Sequence, residues 1–235
     1  MKRFIFCVWL AVAAINTFAQ GVTWQDALAR MPLPAPQNGI TDLTRTNCVT
    51  LMLDSFQSNS VVKAIVFMPG STDELYFFRR AHATMTNAAP TLLDAVTALT
   101  NQTYIRATFV QPLLLLHTTE DSLDGFATIK NESTAEKLRG KIMADRIELS
   151  DADWDAARSK LNWKLSIGLR PLPGAAETWH FYRHNIAACG VSQFEMLEVL
   201  ALAGKTTFTL NWRTAVYQPD SRSGDVPKLQ YFPSH

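Results

Sequence analysis

His180 and His184 stand four residues apart in a chain of 235, and that spacing is the clearest opening for chemistry. On a helix, four residues rise about 6 Å and complete nearly one turn, so both rings share a face and can chelate one ion. On a strand they also share a face, but about 13 Å apart, too far for a common metal. Arg183 sits beside them, and Arg79 holds the matching place in an earlier, related segment. A guanidinium suits bidentate contact with a carboxylate or phosphate. Arg79 and Arg183, with the neighbouring Trp179 and Tyr182, are therefore candidate ligand-binding residues. For the two arginines the favoured reading is nevertheless internal pairing, for instance with Asp73 and Glu177.

Two further patterns imitate binding loops. Gly204-Lys205-Thr206 has the ending of a phosphate-binding loop, but Val199 stands where that motif needs its first glycine. The order is also reversed, since here a helix precedes and a strand follows. Gly204 reads as a helix stop. Asp151, Asp153 and Asp155 begin like a calcium loop, yet Ala156 replaces the turn glycine and Asn162 the closing glutamate. They read better as acids in the first turn of a helix, whose positive end favours them. The chain has no Gly-x-Ser-x-Gly elbow, His-Glu-x-x-His pair or glycine-rich dinucleotide loop. No catalytic residue and no cofactor is expected. Trp163, Trp179 and Trp212 can stack on sugar rings in an envelope glycan, but core packing is the simpler reading of them.

The setting for these residues follows from composition. At 47% hydrophobic and 18% charged, the chain has ample material for a core and none of the bias of a disordered segment. With 22 Lys+Arg against 21 Asp+Glu, the net charge of +1 leaves no footprint for a nucleic acid. Lys2 and Arg3, the apolar run Phe4–Ile15 and the small residues around Ala19 form a secretory signal pattern. Cleavage after Ala19 removes both cations and takes the charge to −1. It also removes Cys7, leaving Cys48 and Cys189 to form one disulfide or to stay as two buried thiols. No later run is long enough to span a bilayer. The expected location is secreted or periplasmic.

Self-comparison then supplies the organisation. Residues 61–109 align without a gap on 165–213, an offset of 104 that sets Pro69-Gly70 on Pro173-Gly174 and Arg79 on Arg183. In each copy a β-branched or alternating run predicts a strand, over 61–67 and 165–169. Pro-Gly and an aromatic stretch follow, read as a hairpin whose second strand runs through 75–84 and 179–188. Thr91 and Ser192 can each cap a helix, and two strands follow: 104–110 with 113–116, and 206–212 with 214–218. Leu113–Leu116 is apolar enough to be buried on both faces.

The expectation is an α+β fold of two diverged ββαββ units, produced by internal duplication. Its parts are a signal peptide over 1–19 and an N-terminal helix (22–31) with a stiff Pro32–Pro36 linker over 20–60. Unit one covers 61–118 and unit two 165–218, joined by a connector over 119–164 with helices at 133–145 and 151–161. A polar tail covers 219–235. The βαββ part resembles, in element order, small modules at the front of secretins and outer-membrane receptors. The leading functional expectation is an exported, non-catalytic module holding a protein or envelope glycan. The alternatives are a hydrolytic enzyme with a dispersed site using His180 or His184, and a structural envelope component.

Overall fold

Four consecutive leucines, Leu113–Leu116, anchor the centre of the molecule. A computed structural model describes residues 23–36, 38–57, 60–68, 82–118, 127–172 and 183–219. In chain order the first elements are α1 (Trp24–Ala29), β1 (Thr41–Thr44), α2 (Arg45–Asp54), β2 (Ala64–Phe67) and β3 (His82–Met85). Then come α3 (Leu92–Gln102), β4 (Arg106–Val110), β5 (Leu113–His117), β6 (Ala127–Ile129) and α4 (Glu132–Arg139). The rest are β7 (Ile147–Ala152), α5 (Trp154–Asn162), β8 (Gly168–Pro171), β9 (His184–Ala188), α6 (Gln193–Ala203), β10 (Thr206–Leu210) and β11 (Thr214–Pro219). The fold is α+β. Among the described residues no helix is long and apolar enough to cross a membrane.

A five-stranded sheet, ordered β4-β5-β2-β9-β7, divides the core. Side chains alternate across a strand, so Ala64, Val66, Leu113 and Leu115 join one cluster and Ile65, Phe67, Leu114 and Leu116 the other. The first cluster lies between this sheet and a four-stranded one, ordered β6-β10-β11-β8, with α6 buried between them. A helix that is apolar all round belongs in such a place. The second cluster takes α2, α3 and the two-stranded sheet β1-β3 on the opposite face. Helix α3 is capped by Thr91 and α6 by Ser192, each with a reciprocal capping box, and Gly204 closes α6, as the local sequence predicts.

The two halves of the chain are wired alike over more of their length than the gapless alignment covers. β1 pairs antiparallel with β3, as β7 does with β9. β2 runs parallel to β5, as β8 does to β11, and β4-β5 and β10-β11 are matching antiparallel pairs. Single bridges join Pro32 to Thr91 and Ile142 to Ser192. The offset is not constant. It is 110 between Pro32 and Ile142, 104 between Ala64 and Gly168, and 101 between Thr91 and Ser192.

Several expectations are corrected. β2 does not pair with β3, nor β8 with β9, as the expected hairpins require; both Pro-Gly pairs lie outside the described residues, and β2 is a central strand between β5 and β9. That β2·β9 pairing also puts strands of both units into one sheet. Pro32–Pro36 is no mere spacer: Leu33 is buried and its N–H donates to Pro90 O at 2.8 Å. The connector holds two strands, β6 and β7, and its second helix starts at Trp154, with Asp153 as its cap, rather than at residue 151. The first connector helix stops at Arg139, before Gly140.

Candidate functional site

Of the residues singled out for chemistry, Arg79, Trp179, His180 and Tyr182 lie outside the described residues. His184 opens β9 and is only 2% exposed. It stands against Trp154 with ring centroids 6.0 Å apart, and its Nδ1 lies 3.3 Å from Ala152 O. Its Nε2 is buried without a hydrogen-bond partner among the described residues. Burial holds the imidazole neutral and pushes its pKa down to about 4; the Ala152 carbonyl and Asp153 pull weakly the other way. Its space is made by Gly204, where a Cβ would fall 2.7 Å from Nε2. This explains the glycine better than backbone strain does, because the positive φ at the end of α6 falls on Lys205 (48°). A ring so enclosed is a packed core histidine. Among the described residues no group of three His, Cys, Asp or Glu is placed to hold a metal.

Arg183 precedes it at the surface edge of β9. Its Nε is 4.0 Å from Asp151 Oδ1 and its outer nitrogen 3.5 Å from Asp153 Oδ2. Asp151 occupies an irregularity in β7 with φ 50°, and its N–H donates to Asn185 Oδ1 at 2.8 Å. Asp153 caps α5 by accepting from Ala156 N at 2.8 Å, and Asp155 pairs with Arg158 at 3.2 Å. The three aspartates thus serve a bulge, a cap and a helix turn rather than one ion. The first half repeats the charge pair with a histidine: His82 Nε2 is 3.9 Å from Asp42 Oδ1.

The disulfide is not formed. Cys48 is a buried free thiol on α2, its pKa pushed up to about 12 by desolvation, and Cys189 is a half-buried free thiol just after β9. Both pack in the second core cluster as small apolar groups.

The exposed chemistry gathers elsewhere, at the end of the four-stranded sheet where β8 and β11 begin. The β10–β11 turn is Trp212-Arg213, and Arg213 O accepts from Gly168 N at 3.0 Å. Trp163-Lys164 closes α5 five residues before Gly168. Trp163 is 73% and Trp212 64% exposed. Each indole has its own following cation over the ring, Lys164 Nζ at 4.1 Å and Arg213 Cζ at 4.0 Å. Lys130 N donates to Leu210 O, and Lys141 Nζ donates to Ser166 Oγ at 2.8 Å, so two more lysines reach this end. Of the three tryptophans named from sequence, core packing is excluded for these two, and Trp179 lies outside the described residues. The overlooked signal was short: Trp followed by a long cation, twice.

Another overlooked group is Glu198 on α6, whose carboxyl is pushed up to about 7 by burial and by Glu195, against the opposing pull of Arg139. No protein-family model, curated protein or solved structure matches this chain.

Proposed function

We propose that the protein is an exported, non-catalytic α+β module, built by internal duplication, that holds a protein or glycan partner in the cell envelope or outside the cell. One observation carries this reading: two indoles, each mostly exposed and each lying under its own cation, occur at one end of one sheet. Tryptophan is highly buried on average. Leaving two of these rings in water at one place removes their contribution to the core and supplies flat apolar faces with a polar rim, as a recognition surface requires. The secretory pattern of the first nineteen residues supports the location. Retention of an envelope fraction on immobilised mature protein tests the reading. The Trp163→Ala/Trp212→Ala variant should melt within a few degrees of the parent and lose that retention. Undiminished retention by the folded double variant would overturn the proposal.

A further inference from the structure

We infer that the ligand of the Trp163/Trp212 end is a glycan that carries carboxylates, an inference that rests on the binding role proposed above. Three observations converge. The first is shape. Each indole is approached by a cation on one side yet stays about two-thirds exposed or more, so its other face is open to solvent. A flat apolar face of that size suits the C–H face of a pyranose ring, and its electron-rich surface attracts polarised C–H groups as it does cations.

The second is charge. Lys130, Lys141 and Arg213 are exposed at this end, with Lys164 half-buried beside them. The acids nearby are answered internally: Asp145 pairs with Lys164, and Glu132 with Arg139 at 2.7 Å. Among the described residues no carboxylate pairs with Lys130, Lys141 or Arg213. The whole chain carries only +1, so a local surplus of cations around two rings is a matter of placement. Its complement is an anionic ligand that also has saturated rings to stack.

The third is the internal control. By the matched helix caps Thr44 and Asp153, Trp163-Lys164 corresponds to Asp54-Ser55; by Thr91 and Ser192, Trp212-Arg213 corresponds to Gln111-Pro112. Neither position of the first half has an aromatic ring or a cation. Two separate loops of the second half carry the same pair, at the same end, on a backbone that does not need it. A polyanion without sugar rings would use the cations and ignore the indoles, and a neutral glycan would do the reverse. The arrangement serves both.

Calorimetric titration of the mature chain tests this with three probes: a hexamer of galacturonic acid, a neutral hexasaccharide of glucose, and polyaspartate. The uronate should bind at least tenfold tighter than the neutral sugar, and the advantage should shrink as salt rises. Lys141→Gln/Arg213→Gln should remove that advantage, whereas Trp163→Ala/Trp212→Ala should abolish binding of both sugars. Equal binding of acidic and neutral sugars would overturn the acid requirement while leaving a glycan-binding role standing. Polyaspartate binding as tightly as the uronate would overturn the ring requirement. No binding of either sugar, with Trp-dependent retention of an envelope protein intact, would overturn this inference but not the binding role; loss of that retention as well would overturn both.

Discussion

The first and second halves of this molecule share their strand pairings and their helix caps, yet they differ at the positions where a shared plan meets solvent or a neighbour. Helix α2 brings Val49 and Leu53 into the cluster that contains Ala187 of β9, and Thr50 Oγ1 donates to Glu148 Oε1 of β7 at 2.5 Å. Counting from the matched caps Thr44 and Asp153, the same positions on α5 are Arg158 and Asn162, which are not buried. β2 accepts β9 along its outer edge, whereas the matching β8 ends in Pro171. Leu172 N donates to Tyr217 O, so position 171 faces away from β11, and a proline there offers no N–H to an added strand. The first half is built to receive the second, and the second is built to stop.

A second contrast lies inside. By the Thr91/Ser192 correspondence, His184 and Gly204 replace Ala83 and Thr103 of the first half. A large ring facing a glycine stands where the first half has a methyl and a threonine. The largest expected effect follows from this. Gly204→Thr puts a Cβ 2.7 Å from His184 Nε2 and 3.3 Å from Leu200 O, and should cost about 4 kcal/mol through overpacking and a buried hydroxyl. Adding His184→Ala should restore most of the loss, read as chemical denaturation midpoints at constant slope. Simple additivity of the two substitutions would break the comparison.

The pH dependence should be smaller and should divide the halves in the same way. His184 has a folded pKa of about 4 against an ordinary 6.5, so its contribution is fully present above pH 6.5. As pH falls the unfolded chain takes up the proton first, and stability drops between 6.5 and about 4, by about 3 kcal/mol in total. His184→Gln should flatten that limb. Glu198 works in the opposite sense. Its folded pKa is raised to about 7 from 4.5, so its contribution is present below 4.5 and is lost as pH rises through 7. It keeps partial contact with water, so the loss is discounted to about 1 kcal/mol. Glu198→Gln should match the parent at pH 4 and exceed it by that amount at pH 8; its first-half counterpart, Thr97, titrates not at all.

The smallest effect concerns Arg183, which is 35% exposed and lies 3.5–4.0 Å from two aspartates that also meet solvent. Arg183→Met should cost about 0.5 kcal/mol, in the range of surface ion pairs. A loss above 2 kcal/mol would mark the pair as desolvated and would separate it from the exposed His82–Asp42 pair of the first half.

Local rules made much of the fold legible. Thr91 with Asp94 and Ser192 with Glu195 announce helices through contacts three residues apart, and Leu113–Leu116 announces a doubly buried strand through composition alone. What escaped is non-local or hidden by length change. From Ala64 to Thr91 is 27 steps, but from Gly168 to Ser192 only 24. A gapless alignment therefore sets Leu92 on Met196, although the capped helices equate it with Gln193. β7 was readable in the alternation of Ile147 and Leu149 with Glu148 and Ser150, and was obscured by the aspartates assigned to the next helix. The β2·β9 pairing joins residues more than a hundred positions apart, and no local pattern encodes it. At the site, the enclosure of His184 depends on β7, on Trp154 and on a glycine twenty residues later, so spacing to His180 could not reveal it. The exposure of Trp163 and Trp212 was equally out of reach, though the cation after each was in plain view.

If, as we propose, one backbone plan carries its binding chemistry in the second half alone, amide hydrogen exchange with and without galacturonic acid hexamer should tell the two halves apart. Saturating uronate should slow exchange at Trp163–Gly168 and Leu210–Thr214, where backbone amides border the two indoles. The matching stretches of the first half, Asp54–Phe56 (for Trp163–Leu165) and Phe109–Leu113 (for Leu210–Thr214), should exchange at unchanged rates. Protection at both ends alike, or at the first-half end only, would contradict the account.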